Sequence, residues 1–69
     1  MTQCEMILQY LKDFGSITTF ESFKELGITR LSGRIFDLKQ QGYEFSEEWL
    51  STKNRYGKPI SFKKYKLKN

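Results

Sequence analysis

The chain has 69 residues, of which 38% are apolar and 16% aromatic, with one cysteine, no histidine and a net charge of +4. That length allows one small domain near marginal stability. A lone Cys4 excludes an intrachain disulfide and fits a reducing compartment, and the lack of histidine removes imidazole acid–base chemistry and the usual zinc sites.

Thr2 and Glu5 have the spacing of a capping box, which opens a first helix. Cys4, Ile7, Leu8, Leu11 and Phe14 recur at helical spacing and predict its buried face, Met6 and Tyr10 fall on a flank, and Gly15 stops it. Ser16-Ile17 is a bridge, with Ile17 pointing inward and able to add one strand pair to a small sheet. Thr18 and Glu21 make a second capping box, and Phe20, Phe23 and Leu26 at spacings of three predict the core side of a second helix. Gly27 suits the left-handed conformation at which helices end, Ile28 tucks inward, and Thr29 offers a hydroxyl to cap the next helix. Leu31, Ile35 and Leu38 then form one apolar stripe, and Gly42 ends the run. The stretch from Thr18 to Gly42 is therefore a helix-turn-helix pattern.

After Gly42 the period changes. Tyr43 to Thr52 and Ile60 to Leu67 read as strands, and the phase switch at Lys63-Lys64 predicts a bulge or bend. Lys53-Asn54-Arg55-Tyr56-Gly57-Lys58 between them is a short hairpin loop, with Gly57 at positive φ and Pro59 at an edge or the first strand position. Charge is segregated along the same line. Residues 1–51 hold five Lys/Arg and all eight Asp/Glu, whereas residues 52–69 hold seven Lys/Arg and no acid. A polyanion is the natural partner of such a segment, although a solvated basic tail has the same composition. No apolar run approaches a membrane span and no charged-then-apolar leader precedes a cleavage site, so a cytoplasmic protein with no membrane contact is expected.

Gly15-Ser16-Ile17-Thr18, Leu26-Gly27-Ile28-Thr29-Arg30-Leu31-Ser32-Gly33-Arg34-Ile35, Asp37-Leu38, Gly42-Tyr43 and the basic loop 53–58 follow in the order of a known group. The chain resembles the small winged helix-turn-helix proteins common in bacteriophages and prophages. The resemblance implies one α+β domain over 1–69: three helices, a short strand after the first, and a C-terminal two-stranded β-hairpin wing. It implies a non-catalytic protein of the bacterial host cell, without cofactor, that binds double-stranded DNA as a transcriptional regulator or excisionase-like architectural factor. Helix 30–41 would enter the major groove, and wing 53–58 would lie on the phosphate backbone or in the minor groove.

On a helical wheel the side opposite Leu31, Ile35 and Leu38 carries Arg30, Gly33, Phe36, Asp37 and Gln40, with Ser32 and Arg34 at its flanks. The resemblance places this side, with Thr29, against DNA. Arg30 can pair with guanine or grip a phosphate, Ser32 and Gln40 can bond a base edge or the backbone, and Arg34 can do either or pair with Asp37. Gly33 allows close approach to DNA or marks drift at an exposed site. Phe36 meets a thymine methyl, meets another subunit, or folds over the base of the wing. In the wing, Lys53, Arg55 and Lys58, with Asn54 and Tyr56 between them, suit phosphate contact or minor-groove insertion. Lys63, Lys64, Lys66 and Lys68 extend the field, about half of them pointing away. Glu44, Glu47 and Glu48 are expected on the far side or paired with lysines across the hairpin.

One small domain has a small footprint, so a homodimer or a cooperative array on repeated sites is compatible with specific binding. The alternative is a winged-helix protein-interaction module, a host-protein inhibitor or an assembly or packaging adaptor. Phe36, Tyr10, Met6 and Trp49 would then face a host or phage protein.

Overall fold

A computed structural model describes residues 1–68. The elements are α1 (Gln3–Phe14), β1 (Ile17–Thr18), α2 (Thr19–Leu26), α3 (Leu31–Gln40), β2 (Phe45–Lys53) and β3 (Pro59–Leu67). Both capping boxes form. Thr2 and Thr18 accept from the backbone N–H groups of Glu5 and Glu21, whose carboxylates accept from the cap residues' own N–H groups. Each box satisfies donors that the first helical turn leaves unpaired.

The sheet order is β1-β3-β2, with Ile17 opposite Tyr65 and Phe45 opposite Leu67. Ile7 and Leu11 of α1, Ile17, Ile28, the Leu31/Ile35/Leu38 stripe of α3, Phe45 and Tyr65 form one buried core. Cys4 and Leu8 pack against it half-buried. Among the described residues no helix is long and apolar enough to cross a membrane.

Four expectations are corrected. The first concerns α2. Phe20 and Phe23 face outward, Phe23 being 61% exposed, whereas Leu26 packs half-buried against the core as expected. The fully buried residue of α2 is Ser22. Its hydroxyl donates to the Ile28 carbonyl at 2.9 Å, and the Ile28 N–H donates to the Ser22 carbonyl at 3.0 Å. Gly27, at φ +69°, reverses the chain and drives Ile28 inward. The backbone polar groups of Ile28 then need partners, and a small hydroxyl residue on the inner side of α2 supplies them where a phenyl would neither fit nor bond.

Second, Phe14 ends α1 exposed, its ring 4.6 Å from that of Tyr10 instead of in the core. Gly15 ends the helix directly after it at φ +86°, and the last turn meets the core through Leu11. Third, Thr29 does not cap α3. Arg30 holds the cap position with φ −115° and ψ 60°, and no side chain bonds the first turn.

Fourth, the hairpin has no bulge at Lys63-Lys64. The β2–β3 register runs unbroken from Phe45↔Leu67 to Lys53↔Pro59. The apolar residues change face instead. Tyr65 and Leu67 share the face of Phe45, toward the helices, whereas Phe62 and Ile60 lie opposite Leu50 and Thr52 on the other face. The ring of Phe62 packs against Phe20 of α2, centroids 4.8 Å apart.

Candidate nucleic-acid interface

The buried stripe of α3 fixes which side of that helix is left over. Ser32, Phe36, Lys39 and Gln40 are exposed, Gly33, Arg34 and Asp37 are half-buried, and Thr29 and Arg30 stand exposed just ahead of the helix. Phe36 is 60% exposed, and its ring is in no aromatic pair among the described residues. The expectation that its phenyl folds over the base of the wing is therefore corrected. The nearest strand beside α3 meets it through Lys39, closer to the helix C-terminus.

The start of α3 has neither a side-chain cap nor an acid in its first turn. No side chain caps its leading N–H groups, which lie at the positive end of the helix dipole, where an anion is favoured. The expected Thr29 cap hides this feature from the sequence.

Arg34 sits 3.5 Å from Asp37 across one turn, with both side chains substantially exposed. Its Nε is buried without a partner. An exposed pair of that kind is worth little, so the guanidinium can be given up to a stronger anion. Arg30 is in no ion pair among the described residues.

Gly33 has no internal reason to be glycine. A Cβ built there meets nothing within 4 Å, and its φ is ordinary. Gly33→Ala should therefore raise thermal stability by about 1 kcal/mol, the helix-propensity difference. If the position serves close approach to a duplex, the same variant binds DNA more weakly. Unfolding and binding measured on one preparation would show opposite signs.

The loop of the hairpin is organised by one residue. Asn54 Oδ1 accepts from the backbone N–H groups of Tyr56 at 2.9 Å and Lys58 at 3.0 Å, while the Asn54 N–H donates to the Lys58 carbonyl at 2.9 Å. Gly57 takes φ +79° to close the turn. The amide oxygen of Asn54 is thus used inside the loop. Lys53, Arg55, Tyr56 and Lys58 project into solvent around it, and none of the three cations is in an ion pair among the described residues.

One ionic cluster joins α3 to the hairpin. Glu47 of β2 accepts from Lys39 of α3 through Oε2 at 2.9 Å and from Lys63 of β3 through Oε1 at 2.9 Å. The Lys63 ammonium also lies 5.2 Å from the ring centroid of Trp49, itself 68% exposed. Pairing across the hairpin was expected of the glutamates. The Lys39 partner was not, because no local spacing relates α3 to β2. Glu47 shares a sheet face with Phe45, Trp49 and Lys63, and Glu48 lies on the other. Of the remaining lysines, Lys64 shares the face of Glu48 and Phe62, and Lys66 lies exposed on that same side.

The two lysine hydrogen bonds, Lys39's foremost, hold the Glu47 carboxyl down at about 2 from an ordinary 4.5, and the Glu47 hydrogen bond raises Lys63. A carboxylate with a depressed folded value stabilises the fold fully above its unfolded value, and that contribution fades as pH falls toward the folded one. The stability difference between the natural chain and Glu47→Gln should therefore shrink between pH 4.5 and about 2 and be flat above pH 5 or so, read by thermal unfolding across pH.

Among the described residues no group of three or more His, Cys, Asp or Glu could hold a metal ion. A family model described as a winged helix-turn-helix domain matches residues 2–69. No curated protein and no solved structure is matched.

Proposed function

This chain belongs to the winged helix-turn-helix domain family, a non-catalytic fold whose members bind DNA or protein, and from that premise we propose that it is a sequence-specific double-stranded DNA-binding protein. In this reading the outer side of α3 enters the major groove and the wing, residues 53–58, grips the adjacent backbone or minor groove. Thr29, Arg30, Ser32, Gly33, Arg34 and Gln40 meet the groove, and Lys53, Arg55, Tyr56 and Lys58 meet the strand beside it. Asn54 contributes by shaping the loop. The biological role is regulation of a phage or prophage genome, or excisionase-like shaping of DNA. Two copies on repeated half-sites, in the host cytoplasm, supply the footprint that one small domain lacks.

The observations that carry the proposal are the solvent-open outer side of α3, whose first turn has no side-chain cap, and a loop whose three cations are in no ion pair among the described residues. Polyanion binding through three to five phosphates gives a slope of log affinity on log salt of about −3 to −4.5. A binding curve that ignores salt would exclude the proposal. Selection of bound sequences from random duplexes then gives the target. On that target Arg30→Ala should relax base preference, costing about 1–3 kcal/mol against the best site, whereas Arg55→Ala should weaken every duplex alike.

A protein-binding reading is favoured by one observation, the solvent-exposed rings of Phe20, Phe23, Phe36 and Trp49. A stoichiometric protein partner retained after nuclease treatment, together with no salt-dependent DNA binding, would establish it instead.

A further inference from the structure

On the reading above, an acid is unexpected among the cations of α3 and the hairpin. Glu47 lies on the face of β2 that carries Phe45, and its two oxygens accept from the ammonium groups of Lys39 on α3 and Lys63 on β3. All three side chains remain accessible: 41% exposed for Lys39, 34% for Lys63 and 33% for Glu47. A phosphate can therefore reach the lysines, but only by displacing or crowding a carboxylate. The next acid along the strand, Glu48, faces the other side of the sheet and is in no ion pair among the described residues.

Resting on the reading of duplex binding above, we infer that Glu47 is an anti-determinant: it holds Lys39 and Lys63 back from phosphates, so that weakly fitting duplexes are not retained on charge alone. Exposed ion pairs are worth little to stability, so two of them on one acid are poorly explained as a brace for the fold. Their effect on binding is larger. Each lysine released to a phosphate adds about 0.9 to the magnitude of the salt slope, and removing the acid also removes its repulsion of the backbone. The brake acts equally on all sequences, whereas base contacts from α3 act on one. The ratio of specific to non-specific affinity is what it raises.

The test is a salt titration of the intact chain with a random duplex and with a duplex selected for binding. The variants are Glu47→Gln, Glu47→Thr (a residue well suited to a strand) and Glu48→Gln as control. Glu47→Gln and Glu47→Thr should bind the random duplex about tenfold more tightly, with a slope steeper by about 1 to 2, and should lose part of the preference for the selected duplex. Adding Lys39→Gln and Lys63→Gln to Glu47→Gln should cancel the gain. The inference is overturned if Glu47→Gln binds no better than the natural chain with an unchanged slope, or if Glu48→Gln gives the same gain. If neither the natural chain nor Glu47→Gln binds any duplex, the DNA-binding reading fails, and the inference with it.

Discussion

Neutralising the three loop cations together, as Lys53→Gln with Arg55→Gln and Lys58→Gln, should lower affinity for every duplex by about a hundredfold or more and flatten the salt slope by about 2.7. The reasoning is electrostatic and local. Each cation projects into solvent from a loop held by Asn54 and Gly57, and none has an acid to satisfy it. Three neutralised phosphates release about 0.9 counterions each, so removing them leaves a slope between about 0 and −2. Sequence preference should survive, because the bases are assigned to α3. The fold should also survive, since none of the three side chains is packed, and circular dichroism would show it. A triple variant with unchanged affinity would mean that the wing does not touch nucleic acid.

Leu38→Ala should largely unfold the protein. Leu38 is fully buried in the α3 stripe, and deleting a buried leucine side chain costs about 3–5 kcal/mol in lost burial and residual cavity. A core in a chain this short supplies a comparable total. Phe23→Ala is the contrast. By size and periodicity it looks like the costlier deletion, but the ring is in solvent, so its loss should cost less than about 1 kcal/mol. Urea unfolding of the two variants side by side checks the orientation of α2 as well as the core. Equal destabilisation would mean that Phe23 is buried after all.

That pair of residues shows where the sequence is legible. Signals acting over three or four residues survive into the structure. Thr2 with Glu5 and Thr18 with Glu21 form their capping boxes, Gly27 takes the left-handed turn, and Leu31, Ile35 and Leu38 are buried together. The α+β winged architecture follows from the order of these local elements. Signals that depend on a distant partner do not survive. Phe20 and Phe23 have helical spacing, but which side of α2 turns inward is decided by Ile28, whose carbonyl needs the Ser22 hydroxyl. The phase switch in the last strand reads locally as a bulge or bend, yet the register is unbroken and the apolar residues change face, with Phe62 covered by Phe20 of α2. Thr29 looks like a cap because it precedes a helix, but the backbone at Arg30 takes that position. In the candidate interface, the wing loop and the outer side of α3 were readable, and the bond from Lys39 to Glu47 was not. It joins a helix to a strand, and nothing in the spacing of residues 39 and 47 announces it.

If the outer side of α3 and the wing meet the duplex together, backbone amide shifts of the isotope-labelled protein, followed by NMR during titration with a selected duplex, should be largest over residues 29–40 and 53–58. Phe20, Phe23 and the first helix should change little. Shifts centred on the phenyl rings of α2, or none at all at saturating duplex, would rule out that surface.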